Sequence, residues 1–244
     1  MRVSKPRKYN QSEFYRSFPL AMPSTVFRLF SSSVGTKLLI GLTGLALFAY
    51  LILHLAGNAI IFLGQDAFNG YSHMLISNPL VIVVEVGLLL IIVLHIYKTV
   101  RMWIANRAAR PVHYEKKEPA RHTSRKSLAS TTMIGTGIVT AFFVLIHVRQ
   151  FRFGTYYLVD GSEGVRDLYR TEIEVFQQPL WVVFYVVCTL LVGLHLRHGI
   201  SSAFQSLGFE HPRYTRRIVQ WGIAGAALIG GGLAFIPIWV YLTH

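Results

Sequence analysis

The chain has 244 residues, 52% of them hydrophobic and only 14% charged, with a formal net charge of +13 and a mean hydropathy of +0.44. That balance is too apolar for a soluble domain of this size and places the chain among membrane proteins. A single cysteine, Cys188, excludes a disulfide framework, a cysteine-built zinc site and an iron–sulfur cluster, and the absence of CxxCH excludes covalently attached c-type haem.

Residues 1–35 are basic and proline-punctuated, and their apolar run starts too late for a secretory signal peptide. Ser24 or Thr25 is placed to cap a short interfacial helix ending near Ser33. Five apolar stretches follow, near 36–63, 79–105, 128–150, 179–204 and 217–241. Each is long enough to cross about 30 Å of hydrocarbon at about 1.5 Å per residue. The expected fold is therefore all-α: a five-helix integral membrane bundle over 36–244 behind an N-terminal segment, 1–35. Residues 151–178 are polar and read as a loop with a short helix lying on the outer surface. The loop NRAARPVHYEKKEPARHTSRK is basic and solvated. No internal sequence repeat is evident.

Charge sets the expected orientation. Lys and Arg number seven in 1–37, nine in 98–127 and four in 197–217, against four in 149–178 and none in the other outer segments. This is a positive-inside pattern, with the N-terminus cytoplasmic and the C-terminus outside. The basic charge is topogenic, and nucleic-acid binding is not expected.

Four spans each carry one histidine: His54, His95, His147 and His195. An ionisable residue within a membrane-length apolar helix is costly and marks a functional site. Pro79 and Pro179 stand at the outer starts of their helices, and His95 and His195 each follow sixteen residues later. Both imidazoles then lie about 24 Å below the outer end, in the inner half. His54 follows Lys37 by seventeen residues and His147 follows Ser130 by seventeen, so these two share a depth in the outer half. The result is two pairs about 19 Å apart in depth, each drawn from two parallel helices. Bis-histidine ligation of two b-type haems needs this arrangement, whereas a structural zinc needs four ligands together. The blander reading makes the histidines packing groups that hydrogen-bond across helices. Gly41, Gly44, Gly135 and Gly137 lie near the depth of the inner pair, where missing side chains suit either a macrocycle or close helix packing.

The chain resembles the membrane cytochrome b subunit of succinate dehydrogenases and fumarate reductases, in its five-helix dihaem form. The stretches that carry the resemblance are SSVGTKLLIGLTGLALFAYLILHLAGN, DAFNGYSHMLISNP with EVGLLLIIVLHI, NRAARPVHY, TMIGTGIVTAFFVLIHVRQFRFG and GLHLRHGISSAFQSLGF. They cover most of 31–209 in family order. The resemblance implies a multi-pass subunit of the bacterial cytoplasmic membrane, holding two haem b and no succinate chemistry of its own. A flavoprotein subunit and an iron–sulfur subunit would dock on the cytoplasmic face, with menaquinone or another quinone as electron partner. It also implies His54 with His147 on the outer haem and His95 with His195 on the inner one, the same pairs that depth suggests.

His198, three residues from His195, is the competing position. The deeper His195 is the expected ligand, with His198 facing a propionate or the headgroups. Glu85 is the one acid inside an apolar span, read either as a proton-exchange group for a quinone or as the structural partner of an arginine. Lys98, Arg101 and Arg197 near the inner pair, and Arg149 and Arg152 near the outer pair, are candidate contacts for propionates or quinone. His73 is read as a surface-turn residue. The glycine-rich GTGIVT and GIAGAALIGGG lie inside spans and are not dinucleotide fingerprints, and no HExxH, P-loop or GxSxG is present. Two other readings stand beside the resemblance: a cytochrome b of another quinone-linked oxidoreductase, and a haem-free proton-coupled transporter.

Overall fold

The computed structural model describes residues 32–109, 132–161 and 164–244. The expected interfacial helix near 24–33 and most of the basic loop after the second span lie outside the described residues. What is described is helical, apart from an isolated antiparallel bridge between Leu158 and Arg166. In chain order the elements are α1 (Ser33–Asn58), a 3₁₀ turn (Ala59–Leu63), α2 (Gln65–Ile76), α3 (Leu80–Ala108), α4 (Met133–Phe151), α5 (Leu168–Phe176), α6 (Pro179–Ser206) and α7 (Thr215–Thr243). Five of these, α1 with its 3₁₀ extension, α3, α4, α6 and α7, are long and apolar enough to cross a membrane. The fold is the expected all-α five-span bundle.

The ends of the spans follow local chemistry. Ser32 caps α1, its hydroxyl accepting the Gly35 N–H at 3.0 Å. Pro179 occupies the first turn of α6, where its missing N–H leaves no intrahelical bond unmade. Gly64, at φ +95°, ends the 3₁₀ turn and redirects the chain into α2, a backbone conformation open to glycine and strained for other residues. The stretch read as an outer turn around His73 is thus the end of a helix, α2.

The centre of the bundle is α6, which packs against α1, α4 and α7 and holds the longest set of buried residues. Its closest neighbour is α7. A Cβ built on Gly230 would stand 2.9 Å from the Gly193 Cα and 3.2 Å from the Thr189 carbonyl oxygen, so the two backbones touch with no side chain between them. Such small-residue contacts replace the hydrophobic driving force that helices lack inside lipid. By contrast, α3 packs chiefly against α1, and none of its residues is buried.

At one end of the bundle, the one expected to face outward, α2 and α5 form a cap tied together by Asp167. Its carboxylate accepts from Gln65 Nε2 (2.8 Å), Asn69 Nδ2 (2.8 Å) and the Arg170 backbone N–H (3.0 Å), and Asn69 Oδ1 accepts the Tyr169 N–H. One residue thereby caps α5 and clamps α2. Beneath this cap Phe68, Phe143, Phe176 and Tyr185 are buried.

The α6–α7 contact gives a paired test. Gly230→Val should destabilise the folded protein in detergent by about 1–3 kcal/mol, the usual cost of overpacking. Gly231→Val, where a Cβ meets nothing within 4 Å, should cost little. Denaturant titration followed by circular dichroism separates the two.

Candidate functional site

The four span histidines come together as two pairs. His54 of α1 and His147 of α4, the pair expected at the outer level, face one another with ring centroids 5.6 Å apart and planes at 84°. In the pair expected at the inner level, His195 of α6 lies within electrostatic reach of His95 of α3. In both pairs the two helices involved are not close-packed neighbours: α1 packs on α3 and α6, and α4 packs on α6. The His54 and His147 rings therefore meet across the space between helices rather than within a helix–helix seam.

The inner histidines have defined hydrogen bonds. Thr43 of α1 donates its hydroxyl proton to the Leu39 carbonyl at 2.6 Å, and its oxygen stands 2.9 Å from His95 Nδ1. Thr136 of α4 likewise bonds back to Thr132 and Met133 carbonyls, with its oxygen 3.2 Å from His195 Nδ1. With its proton on a carbonyl of its own helix, each threonine oxygen is an acceptor for the imidazole, an arrangement that puts the ring proton on Nδ1 and leaves Nε2 its lone pair. The backbone at Ile40 and at Met133 also stands within hydrogen-bonding reach of His95 and His195. Two of the four sequence-noted glycines adjoin these rings: a Cβ on Gly44 would come 3.2 Å from His95 Cε1, and one on Gly137 would come 3.2 Å from His195 Cε1. Gly41 instead abuts the α6 backbone at Ala203, and Gly135 meets nothing within 4 Å.

The outer pair is set differently. Tyr50 stacks on His54 at 5.5 Å, its hydroxyl a long 3.4 Å from Nδ1. His147 sits among Phe143, Phe151 and Tyr185, with ring centroids at 5.8, 5.2 and 6.0 Å, and its Nδ1 is buried without a hydrogen-bond partner. A buried ring nitrogen left unsatisfied is uncommon enough to need an explanation. Among the described residues no group of three or more His, Cys, Asp or Glu side chains converges, so the candidate centres are two-imidazole sites.

The remaining candidates distribute as follows. Glu85 is not unpaired: it forms an ion pair with Arg152 at 3.0 Å, joining α3 to the end of α4, and both side chains are nearly half exposed. Arg149 donates to the Phe153 carbonyl at 2.7 Å, next to a cleft of about 820 Å³ beside α5 at the capped end. Gln150, Gln178 and Trp181 also line that cleft. Arg101 bonds the Tyr97 hydroxyl one turn back, and Lys98 is half-buried on the same helix. Arg197 and His198 line a second cleft of about 420 Å³ where the end of α6 meets the start of α7. His198 thus opens on that cleft, while His195 turns into the bundle toward Thr136.

Glu172 of α5 is a site residue that reading the segment as a polar surface loop does not find. It is only 5% exposed, and its Oε2 has no hydrogen-bond partner. Burial alone pushes its carboxyl up to about 8. The available signal was its place four residues before Phe176, on the apolar face of LYRTEIEVF.

No family model, no curated protein and no solved structure matches this chain.

Glu172 makes the cap pH-sensitive. With the folded-state value raised above the ordinary carboxylate value of 4.5, the folded protein binds this proton more tightly. The corresponding stability is fully present below about 4.5 and is lost as pH rises through about 8. Glu172→Gln removes the titration, so its stability relative to the parent should climb between pH 5 and pH 8. Thermal unfolding of both proteins in detergent at these two pH values measures it, and a pH-independent difference would refute the assignment.

Proposed function

We propose that the chain is the membrane-anchoring dihaem cytochrome b subunit of a succinate:quinone or fumarate-reducing complex in the bacterial cytoplasmic membrane. In this reading it passes electrons between a cytoplasmic iron–sulfur subunit, itself docked on a flavoprotein, and menaquinone or another quinone. The observation that carries the reading is the pairing of four imidazoles, two by two, across helices that are not direct neighbours. The resemblance of residues 31–209 to that family supplies the partners and the quinone.

The donor set fits two b-type haems. Each pair offers two imidazoles, a donor set that would hold a b-type haem, and neither offers the four ligands of a structural zinc. A bound haem would supply reversible one-electron chemistry at its iron. His54 and His147 would hold the outer one, His95 and His195 the inner one through Nε2. Gly44 and Gly137 let the inner imidazoles lie close to the α1 and α4 backbones. Lys98, Arg101 and Arg197 toward the cytoplasmic end, and Arg149 at the outer end, are the cations that would face propionates. Arg152 is engaged with Glu85, so that pair acts as a clasp between α3 and α4.

The outer cleft suits a quinone. Its walls are apolar at Leu145, Ile146 and Trp181, and it borders the helix that carries His147. Gln150 accepts the Tyr185 hydroxyl proton at 2.6 Å, so its amide N–H groups remain as donors for a ring carbonyl. Gln178 adds a second amide donor.

Reduced-minus-oxidised spectra of the purified protein, with haem quantified per chain, test the reading. Two b-type haems per chain are expected. His54→Ala or His147→Ala should remove one spectral component, and His95→Ala or His195→Ala the other. A folded, colourless protein would sink the proposal and favour a histidine-based proton-coupled transporter.

A further inference from the structure

Two distant segments of the chain place the same side chains in the same register. Thr43 and Gly44 precede His54 as Thr136 and Gly137 precede His147, the histidine standing eleven positions after the threonine in each case. The aromatic residues four positions before those histidines also correspond, Tyr50 and Phe143. In the structure each threonine meets the histidine of the following span, Thr43 with His95 and Thr136 with His195. A Cβ built on either glycine would stand 3.2 Å from Cε1 of that histidine. Helices α1 and α3 therefore repeat as α4 and α6. Each half contributes one outer imidazole, one inner imidazole and one hydroxyl that bonds the inner one.

We propose that Thr43 and Thr136 are positioning residues of the inner pair, each fixing the tautomer and rotation of one imidazole so that His95 and His195 present Nε2 to a single metal centre. The proposal rests on the dihaem reading for the identity of that centre, but the threonine–imidazole bond itself does not.

The physical argument has three parts. First, an imidazole in hydrocarbon can carry its proton on either nitrogen, and only a fixed acceptor selects one. Thr43 and Thr136 are both buried, and each has carbonyls of its own helix within reach of its own proton, which leaves its oxygen to accept from the ring beside the backbone at Ile40 or Met133. Secondly, threonine is held at χ1 by its branched Cβ, so the acceptor position follows the helix backbone. The adjacent glycine leaves the ring room to reach it. Thirdly, hydrogen-bonding the distal nitrogen of a ligating imidazole raises its basicity and orients the ring, an outer-shell effect that tunes the bound metal. The outer rings lack this arrangement, since His147 Nδ1 has no partner and His54 Nδ1 has only a 3.4 Å contact. Changing the threonines should therefore alter one centre and spare the other.

The test uses the full chain with Thr43→Val, Thr136→Val, and the serine versions of both. Valine keeps the shape and removes the hydroxyl, whereas serine keeps the hydroxyl. The inner spectral component is identified as the one lost in His95→Ala. In the valine variants its midpoint potential should rise and its low-spin electron paramagnetic resonance signal should move, with the outer component unchanged. Serine should restore both. Valine variants that lose only the inner component, with serine retaining it, would also support the assignment. Unchanged inner potential and signal, equal shifts in both components, or serine behaving like valine would overturn it.

Nitrogen-15 imidazole shifts of the parent protein decide the matter even if the valine variants do not accumulate. His95 and His195 should be protonated at Nδ1, and the opposite tautomer at either ring would refute the proposal. That measurement stands apart from the function: a colourless protein with Nδ1-protonated rings would overturn the dihaem reading and leave the threonine–histidine bonds intact.

Discussion

An imidazole placed in hydrocarbon has two ring nitrogens to satisfy and no water to satisfy them with. How that is done differs between the two depths of this bundle, and the helix arrangement follows the difference. At the inner level each Nδ1 has a threonine acceptor on the preceding span, which requires α1 beside α3 and α4 beside α6. At the outer level the rings instead lie against aromatic faces, Tyr50 for His54 and Phe143, Phe151 and Tyr185 for His147. Aromatic contacts shield a ring and orient it loosely, whereas a hydrogen bond to a branched hydroxyl fixes both its rotation and its proton.

Rigidity for this arrangement comes from α6. Its contact with α7 at Gly193 and Gly230 brings backbone against backbone, and the other faces of α6 receive α1 and α4. The outer cap then closes one end. Asp167 clamps α2 to α5 through Gln65, Asn69 and the α5 N-terminus, and the buried Phe176 reaches down to Phe151 and Tyr185. The cap thus rests on the same aromatic layer that holds His147. Glu172, buried in the cap with an unpaired oxygen, is an exception to this network, as is the buried Nε of Arg166. The cost at Glu172 is met by keeping a proton over a pH range where ordinary carboxylates are charged.

The spans were legible because membrane thickness imposes a length and a composition that no soluble helix needs. The depth of the four histidines was legible for the same reason, since a helix turns residue number into height. Contacts across helices were not. Glu85 reads either as a proton-exchange group or as the partner of an arginine, and only the folded chain identifies that arginine as Arg152, 67 positions away. The helix α2 was hidden because QDAFNGYSHMLI carries Gly, Asn and Ser, poor helix formers whose conformation is fixed by burying Phe68, Asn69 and Ser72 under α5. Thr43 and Thr136 were hidden in a different way. A hydroxyl within an apolar span ordinarily satisfies itself on its own helix, so neither residue signals a partner, and the repeated Thr-Gly at a fixed distance before His54 and His147 emerges only when the two segments are set side by side.

That repetition also limits how the two levels can vary. Because one helix carries both an outer histidine and the hydroxyl for an inner one, eleven residues apart, its rotation about its own axis sets both at once. Turning α1 to improve the approach of His54 to His147 would withdraw Thr43 from His95, and α4 is bound by the same rule through His147, Thr136 and His195. The freedom left to each half lies in α3 and α6, which can translate against their threonine partners. Of these α6 is locked by α7, whereas α3, with no buried residue, is the more adjustable. Any tuning of the inner pair independent of the outer one is therefore easiest through the placement of α3, where the Glu85–Arg152 pair already ties its outer end to α4.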